Sequence, residues 1–300
     1  MSHHHSHDHA PTSFNRAFFI AITLNLGFTI CQVVYAFLAG SMSLMADAVH
    51  NFGDVFGLVL AWGASLLLLR PAHKRYSYGF KKTTVLAALT NALILVATSA
   101  LIIYQSIYKL VNLGHVNEVI VIIVAFIGIF INGGTALLFM KGAHDDLNIK
   151  SAFLHLLADA LISIGVVVSA VIIYFTHWMW LDPVIGLFIV CVILLGTWGL
   201  LRDSVRLILD AVPHHIDYHG IQTYFLGLPG VKSLHDLHIW GLSTKEVALT
   251  AHLIMPDAKL SDADYKKINE TLKSQFRIDH ATLQVESGCE DHPCTLDKEC

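Results

Sequence analysis

EVIVIIVAFIGIFINGGTALLFM, residues Glu118–Met140, carries no charge after its first residue. A helix rises about 1.5 Å per residue, so this stretch is long enough to cross the roughly 30 Å hydrocarbon core of a bilayer. Working outward from it, hydropathy predicts six membrane helices, at Ala17–Ala39, Leu44–Leu69, Thr83–Leu110, Val119–Met140, Ser151–Phe175 and Val184–Leu201. The composition points the same way. Only 14% of the 300 residues are charged and the mean hydropathy is +0.60, whereas a soluble domain carries about 25% charged residues. An ordinary cytosolic enzyme is excluded. With a net charge of −4 and no basic patch interleaved with aromatics, nucleic acid is not an expected partner.

Positive charge is distributed unevenly around the spans. Arg16 precedes the first; Arg70, Lys74, Arg75, Lys81 and Lys82 lie between the second and third; Lys141 and Lys150 lie between the fourth and fifth; Arg202 and Arg206 follow the sixth. The loops on the other side contribute only Lys109. Positive loops stay on the cytoplasmic side, so both termini are expected there. The expected organisation is an N-terminal arm (1–16), a six-helix all-α membrane domain (17–210) and a small cytosolic α+β domain (211–300). In that last part no apolar run is of span length. Helical periodicity and capping signals predict helices near 217–225 and from Ser261 to Phe276. Alternating and β-branched residues predict strands at Ser233–Trp240, Val247–Met255 and His280–Glu286, an αββαβ order.

The residues that should not be in a membrane carry the chemistry. His50 and Asp54 fall in the second span, His155 and Asp159 in the fifth. An Asp at mid-bilayer costs about 2.5–3.5 kcal/mol on insertion scales, so each needs a partner. Both pairs read His-x-x-x-Asp, a spacing that stacks imidazole and carboxylate on one helix face. One such pair is explained as well by hydrogen bonding between helices. Two identical pairs, with no Lys or Arg in either span core, lack positive charge that a bound dication supplies. Two nitrogens and two oxygens form a tetrahedral Zn²⁺ set; the imidazoles argue against Mg²⁺ or Ca²⁺ and the lack of thiolate against Cu⁺. Asp47, three residues before His50, is read either as a carboxylate outside the ligand set or at its entrance, or as a helix-end residue facing headgroups. Asn25, Asn51, Asn91 and Asn132 are expected to hydrogen-bond between helices.

Ala46-Asp47-Ala48-Val49-His50-Asn51-Phe52-Gly53-Asp54 and Leu154-His155-Leu156-Leu157-Ala158-Asp159 resemble the corresponding segments of the cation diffusion facilitator family, zinc-exporting proton antiporters. The likeness extends over the spans and the tail. It implies a homodimer, metal at His50, Asp54, His155 and Asp159, and a metallochaperone-like cytosolic domain with zinc at His235, His252, Glu286 and cysteines near the C-terminus, of which Cys289 and Cys294 match. Relatives with Asp in place of the second-span His accept cadmium more readily, so His50 implies zinc preference. Gly142–Asn148 is short and lacks the long His-rich segment of many eukaryotic relatives, which favours a bacterial-type transporter of the plasma (inner) membrane.

Coordination needs neutral imidazole and ionised carboxylate, so protons and metal compete for the same groups. An unperturbed imidazole titrates at about pH 6.5. Exchange of cytosolic Zn²⁺ for protons by alternating access is therefore the expected activity. In the tail, His238 would face away from His235 if its strand is regular. Cys31 and Cys191 are expected to be packing residues. Cys289, Cys294 and Cys300 cluster with His292 in a combination suited to zinc, although C-x4-C departs from the commoner C-x2-C. His3, His4, His5, His7 and His9 read either as a metal-capturing arm or as an inert tail. Three other readings compete: a membrane-anchored zinc sensor, which leaves the intramembrane carboxylates unused; an intramembrane metalloprotease, which needs a His-Glu-x-x-His helix that is absent here; and a passive channel, which four closely placed ligands disfavour because conduction needs binding weak enough for the ion to leave.

Overall fold

The computed structural model describes residues 14–140, 147–257 and 259–288. Each expected span is a helix: α1 (Phe14–Ala39), α2 (Met42–Leu68), α3 (Thr83–Val111), α4 (Glu118–Met140), α5 (Leu147–Thr176) and α6 (Leu181–Ile208). Stretches of α2 to α6 are long and apolar enough to cross a membrane, and the described apolar part of α1 is Thr23–Ala39. Helix α6 runs beyond the expected end at Leu201 through Arg202, Asp203 and Arg206. Hydropathy locates where the apolar stretch stops, while the helix stops only where its backbone ladder does.

The chain forms two compact units. One contains α1, α2 as far as Val59, α3 from Asn91, α4, α5 and α6 as far as Trp198. Its core is aliphatic and aromatic, with Phe28, Leu44, Leu95, Val121, Val166 and Ile189 buried. Between α1 and α2 the chain reverses at Gly40, whose φ of +63° suits a residue without Cβ. Lys109, in the last turn of α3, donates to the Gly40 carbonyl. The first turn of α2 is held by Asp182 of α6, which is 1% exposed. Its carboxylate accepts from Ser41 Oγ (2.5 Å), Ser43 Oγ (2.6 Å) and the backbone N–H groups of Met42 (2.5 Å) and Ser43 (3.2 Å). A carboxylate here satisfies orphan donors of a helix start and complements its dipole. Close approach of α3 to α2 depends on Gly53, where a Cβ would stand 2.2 Å from a Leu95 methyl.

The other unit contains Leu60–Thr90 and the chain from Gly199 onward. Its elements after α6 are α7 (Tyr218–Leu226), β1 (Ser233–Gly241), β2 (Val247–Ile254), α8 (Asp262–Phe276) and β3 (His280–Glu286), the αββαβ order expected. The sheet order is β1-β2-β3, with β1 antiparallel and β3 parallel to β2. A parallel neighbour requires a crossover, which α8 provides. Val247, Leu249, Ala251 and Leu253 alternate along one face of β2 and join Ile221, Phe225, Ile268 and Leu272 in the core. Asp217 caps α7, and Ser261 with Asp264 forms a capping box on α8. Within this unit Lys82 bonds Asp210 at 2.6 Å, and Lys81 pairs with Glu246.

Candidate metal centres

Helices α2 and α5 bring the four intramembrane residues into a closed ring. His50 Nε2 lies 3.2 Å from Asp159 Oδ1, and His155 Nε2 lies 3.1 Å from Asp54 Oδ2. The contacts along each helix are longer: His50 Nδ1 to Asp54 Oδ2 at 3.8 Å and His155 Nε2 to Asp159 Oδ2 at 3.7 Å. Tetrahedral ligands about 2.0–2.1 Å from a zinc ion stand about 3.3–3.4 Å apart; the ring distances are of that order, but they use both nitrogens of His50 and both oxygens of Asp159, and with one ligand atom per residue His155 stands outside the close group. Donor atoms of His50, Asp54 and Asp159 all lie within 4.8 Å of one another. The ring is unevenly covered, with Asp159 3% exposed and the Asp54 and His155 side chains 30% and 46% exposed.

Asp47 does not face headgroups. It is fully buried, accepting from Gln32 Nε2 of α1 at 2.7 Å and from Ser163 Oγ of α5 at 3.2 Å. Gln32 Oε1 in turn accepts from Asn51 Nδ2 at 3.0 Å, the interhelical role expected of that asparagine. The sequence reading missed Gln32 and Ser163. Both carried a signal, Gln32 as a carboxamide inside a span and Ser163 as the residue four after Asp159 on the same stripe. Cys31 and Cys191, expected to be packing residues, are exposed on the helices. A thiol behaves as a small hydrophobe, so an apolar surround outside the bundle suits it equally well.

A second cluster lies on the sheet. His235 and His252 are cross-strand partners, and Glu286 sits two residues beyond the partner of His252 on β3. His235 Nε2 is 3.1 Å from Glu286 Oε2, and His252 Nδ1 is 2.9 Å from Glu286 Oε1. Glu286 Oε1 also accepts from Gln284 Nε2 at 2.6 Å. Two imidazoles and a carboxylate with donor atoms within 4.8 Å fit a divalent cation of the zinc type whose coordination these three residues leave incomplete.

His238 corrects the expectation for a regular strand. The register slips between His235 and His238, so His238 pairs with Thr250, two residues from the His252 that faces His235. The extra residue is accommodated at Asp236, whose φ is +46°. Such a bulge reverses the alternation and turns both histidines to one face. Cys289, Cys294, Cys300, His292 and the N-terminal histidines lie outside the described residues.

Apolar helices of bilayer length, a His/Asp ring within the helical unit and a small α+β unit with its own ligand cluster define a multi-pass membrane protein built to handle cations. The cation efflux transmembrane domain matches residues 18–209, and the cation efflux protein cytoplasmic domain matches residues 213–288. The chain belongs to the cation efflux family, the cation diffusion facilitators, and is a transporter rather than an enzyme. The metalloprotease alternative is thereby overturned. The chain is similar to the cation efflux system protein CzcD of Alcaligenes sp. (strain CT14), 35% identical over 95% of this chain and 91% of that one. It is 32% identical to the zinc transporter ZitB of Escherichia coli (strain K12), over 99% of this chain and 97% of that one. It is 29% identical to the cadmium, cobalt and zinc/H(+)-K(+) antiporter of Bacillus subtilis (strain 168), over 95% and 93%.

Proposed function

We propose that this protein is a Zn²⁺ efflux transporter that exchanges cytosolic zinc for protons at His50, Asp54, His155 and Asp159. The observation that carries the reading is the ring itself, in which each imidazole stands within 3.2 Å of the other helix's carboxylate. Occupation by a dication requires the imidazole nitrogens that face the carboxylates to be unprotonated, so loading displaces protons and reprotonation ejects the ion. Because two of the ligands come from α2 and two from α5, a relative movement of these helices dismantles the set and exposes the ion to the opposite side. The name of the Bacillus subtilis relative supports an antiport.

The distribution of Lys and Arg supports a cytoplasmic location for both termini, and the family and its bacterial relatives support a homodimer in the lipid bilayer of a bacterial inner membrane. His235, His252 and Glu286 would hold a tail zinc ion, with Cys289 and Cys294 as further ligands. That ion would tie β1, β2 and β3 together at one end of the sheet. Purified protein in vesicles loaded with a zinc-sensitive dye tests the exchange. Zinc entry should accelerate several-fold when a pH gradient drives protons the other way. Entry indifferent to the gradient would refute the antiport.

A further inference from the structure

Among the described residues Gln32 hydrogen-bonds none of the four ring residues, yet its carboxamide grips the helix on both sides of one of them. Asp47 and Asn51 stand three residues before and one after His50, and Gln32 bonds both, through Nε2 and Oε1 respectively. On the facing helix, Ser163 is one turn beyond Asp159 and bonds the same Asp47 oxygen. Helices α1, α2 and α5 thus meet at a single carboxylate oxygen, one turn from the ring. Gln32, Asp47 and Ser163 are all 0% exposed, whereas Asp54 and His155, at the opposite end of the ring, are the exposed members.

We propose that Gln32 is a positioning residue for the transport site, and that its contact with Asp47, completed by Ser163, seals the site on the side away from Asp54 and His155. This inference rests on the transport reading above. Buried bonds to a carboxylate are strong while made and costly to leave unmade, so the contact favours the state in which the ring is open at the Asp54 end. It is also incomplete. Asp47 Oδ1 is buried and accepts no hydrogen bond among the described residues, which raises the cost of the closed arrangement and leaves the seal poised to part. When it parts, α2 and α5 separate at the Asp47 end and the ring opens there.

The inference predicts a split in the kinetics. A state favoured by the seal is the one that loads zinc from the Asp54 side, and apparent affinity falls in proportion to the fraction of protein in that state. Gln32→Met keeps the side chain's length and removes both bonds. In full-length protein reconstituted in vesicles, with zinc added on the Asp54 side, KM should rise roughly five- to tenfold while kcat stays within about twofold. Ser163→Ala removes only the longer bond and should raise KM about twofold. It decides the matter if Gln32→Met fails to fold. Unchanged KM in the folded variants, or a fall in kcat at constant KM, overturns the seal. An Asp159→Ala control separates this from the underlying reading, since wild-type transport in that control would sink the site itself.

Discussion

His50 Nε2 and Asp159 Oδ1 stand 3.2 Å apart across the interface of α2 and α5, although 109 positions separate them in the chain. Each histidine lies closer to the carboxylate of the other helix than to the one four residues along its own. Two pairs each closed within its own helix would show the opposite pattern. The exchange of partners makes the four side chains one unit, and a unit loses its function when any member is removed.

Either His50→Ala or Asp159→Ala should therefore reduce zinc-dependent proton flux by about 100-fold or more, beyond the 10–100-fold typical of losing a group that merely supports ligands. Flux of purified, folded variants in vesicles measures this. Wild-type rates in both would refute the assignment.

Replacing the imidazole of His50 by a shorter carboxylate leaves more room and a different donor. His50→Asp should shift the cadmium-to-zinc transport ratio upward by roughly tenfold. Competition between the two ions in the same vesicles reads it directly. A ratio equal to that of the parent protein would show that this position does not set the preference.

Much of this arrangement was legible in the sequence, because hydrophobic runs and alternation are local properties. The strand His280–Glu286 falls where alternation put it, and α3 begins at Thr83 as expected. The doubled His-x-x-x-Asp was legible because a charge in a span is costly and so stands out. What escaped was set by non-local packing. Asp47 has two readings from its position in α2, and only the approach of Gln32 and Ser163 from other helices decides between them. The facing of His238 depended on a bulge at Asp236 that alternation cannot register.

Glu286 offers one oxygen to each tail histidine, so its charge is the common element of that cluster. Glu286→Gln keeps the shape and removes the charge. In an Asp159→Ala background, where the membrane site is disabled, tail zinc affinity should fall about 10- to 100-fold. Equilibrium dialysis of the full chain gives the value, and undiminished binding would place the tail ion elsewhere.

Asp182 tests stability apart from transport. Its buried carboxylate receives four donors from Ser41, Met42 and Ser43. Asp182→Ala strands those donors and should cost about 2–4 kcal/mol, with Asp182→Asn intermediate because one acceptor remains. Thermal midpoints in detergent rank the three proteins. Equal midpoints for Asp182→Ala and the parent would mean that this cap is replaceable by solvent or lipid headgroups.

The last prediction concerns pH and lies in the tail. The Ser261 side chain, and then its backbone N–H, donate to Asp264 and hold its carboxyl below the usual carboxylate range. A group whose value is lowered by folding adds stability that is present above its unfolded value, near pH 3.9, and fades as pH falls through the folded one. Ser261→Ala removes the cap and should cost about 1 kcal/mol at neutral pH. It should also flatten the tail's loss of stability in that acidic window, since only the backbone donor and the charge of Lys267 then favour the ionised form. Hydrogen exchange of the first turn of α8 at pH 7 and below pH 4 measures both effects. If parent and variant differ by the same amount at the two pH values, the carboxyl of Asp264 has no share in holding this helix start.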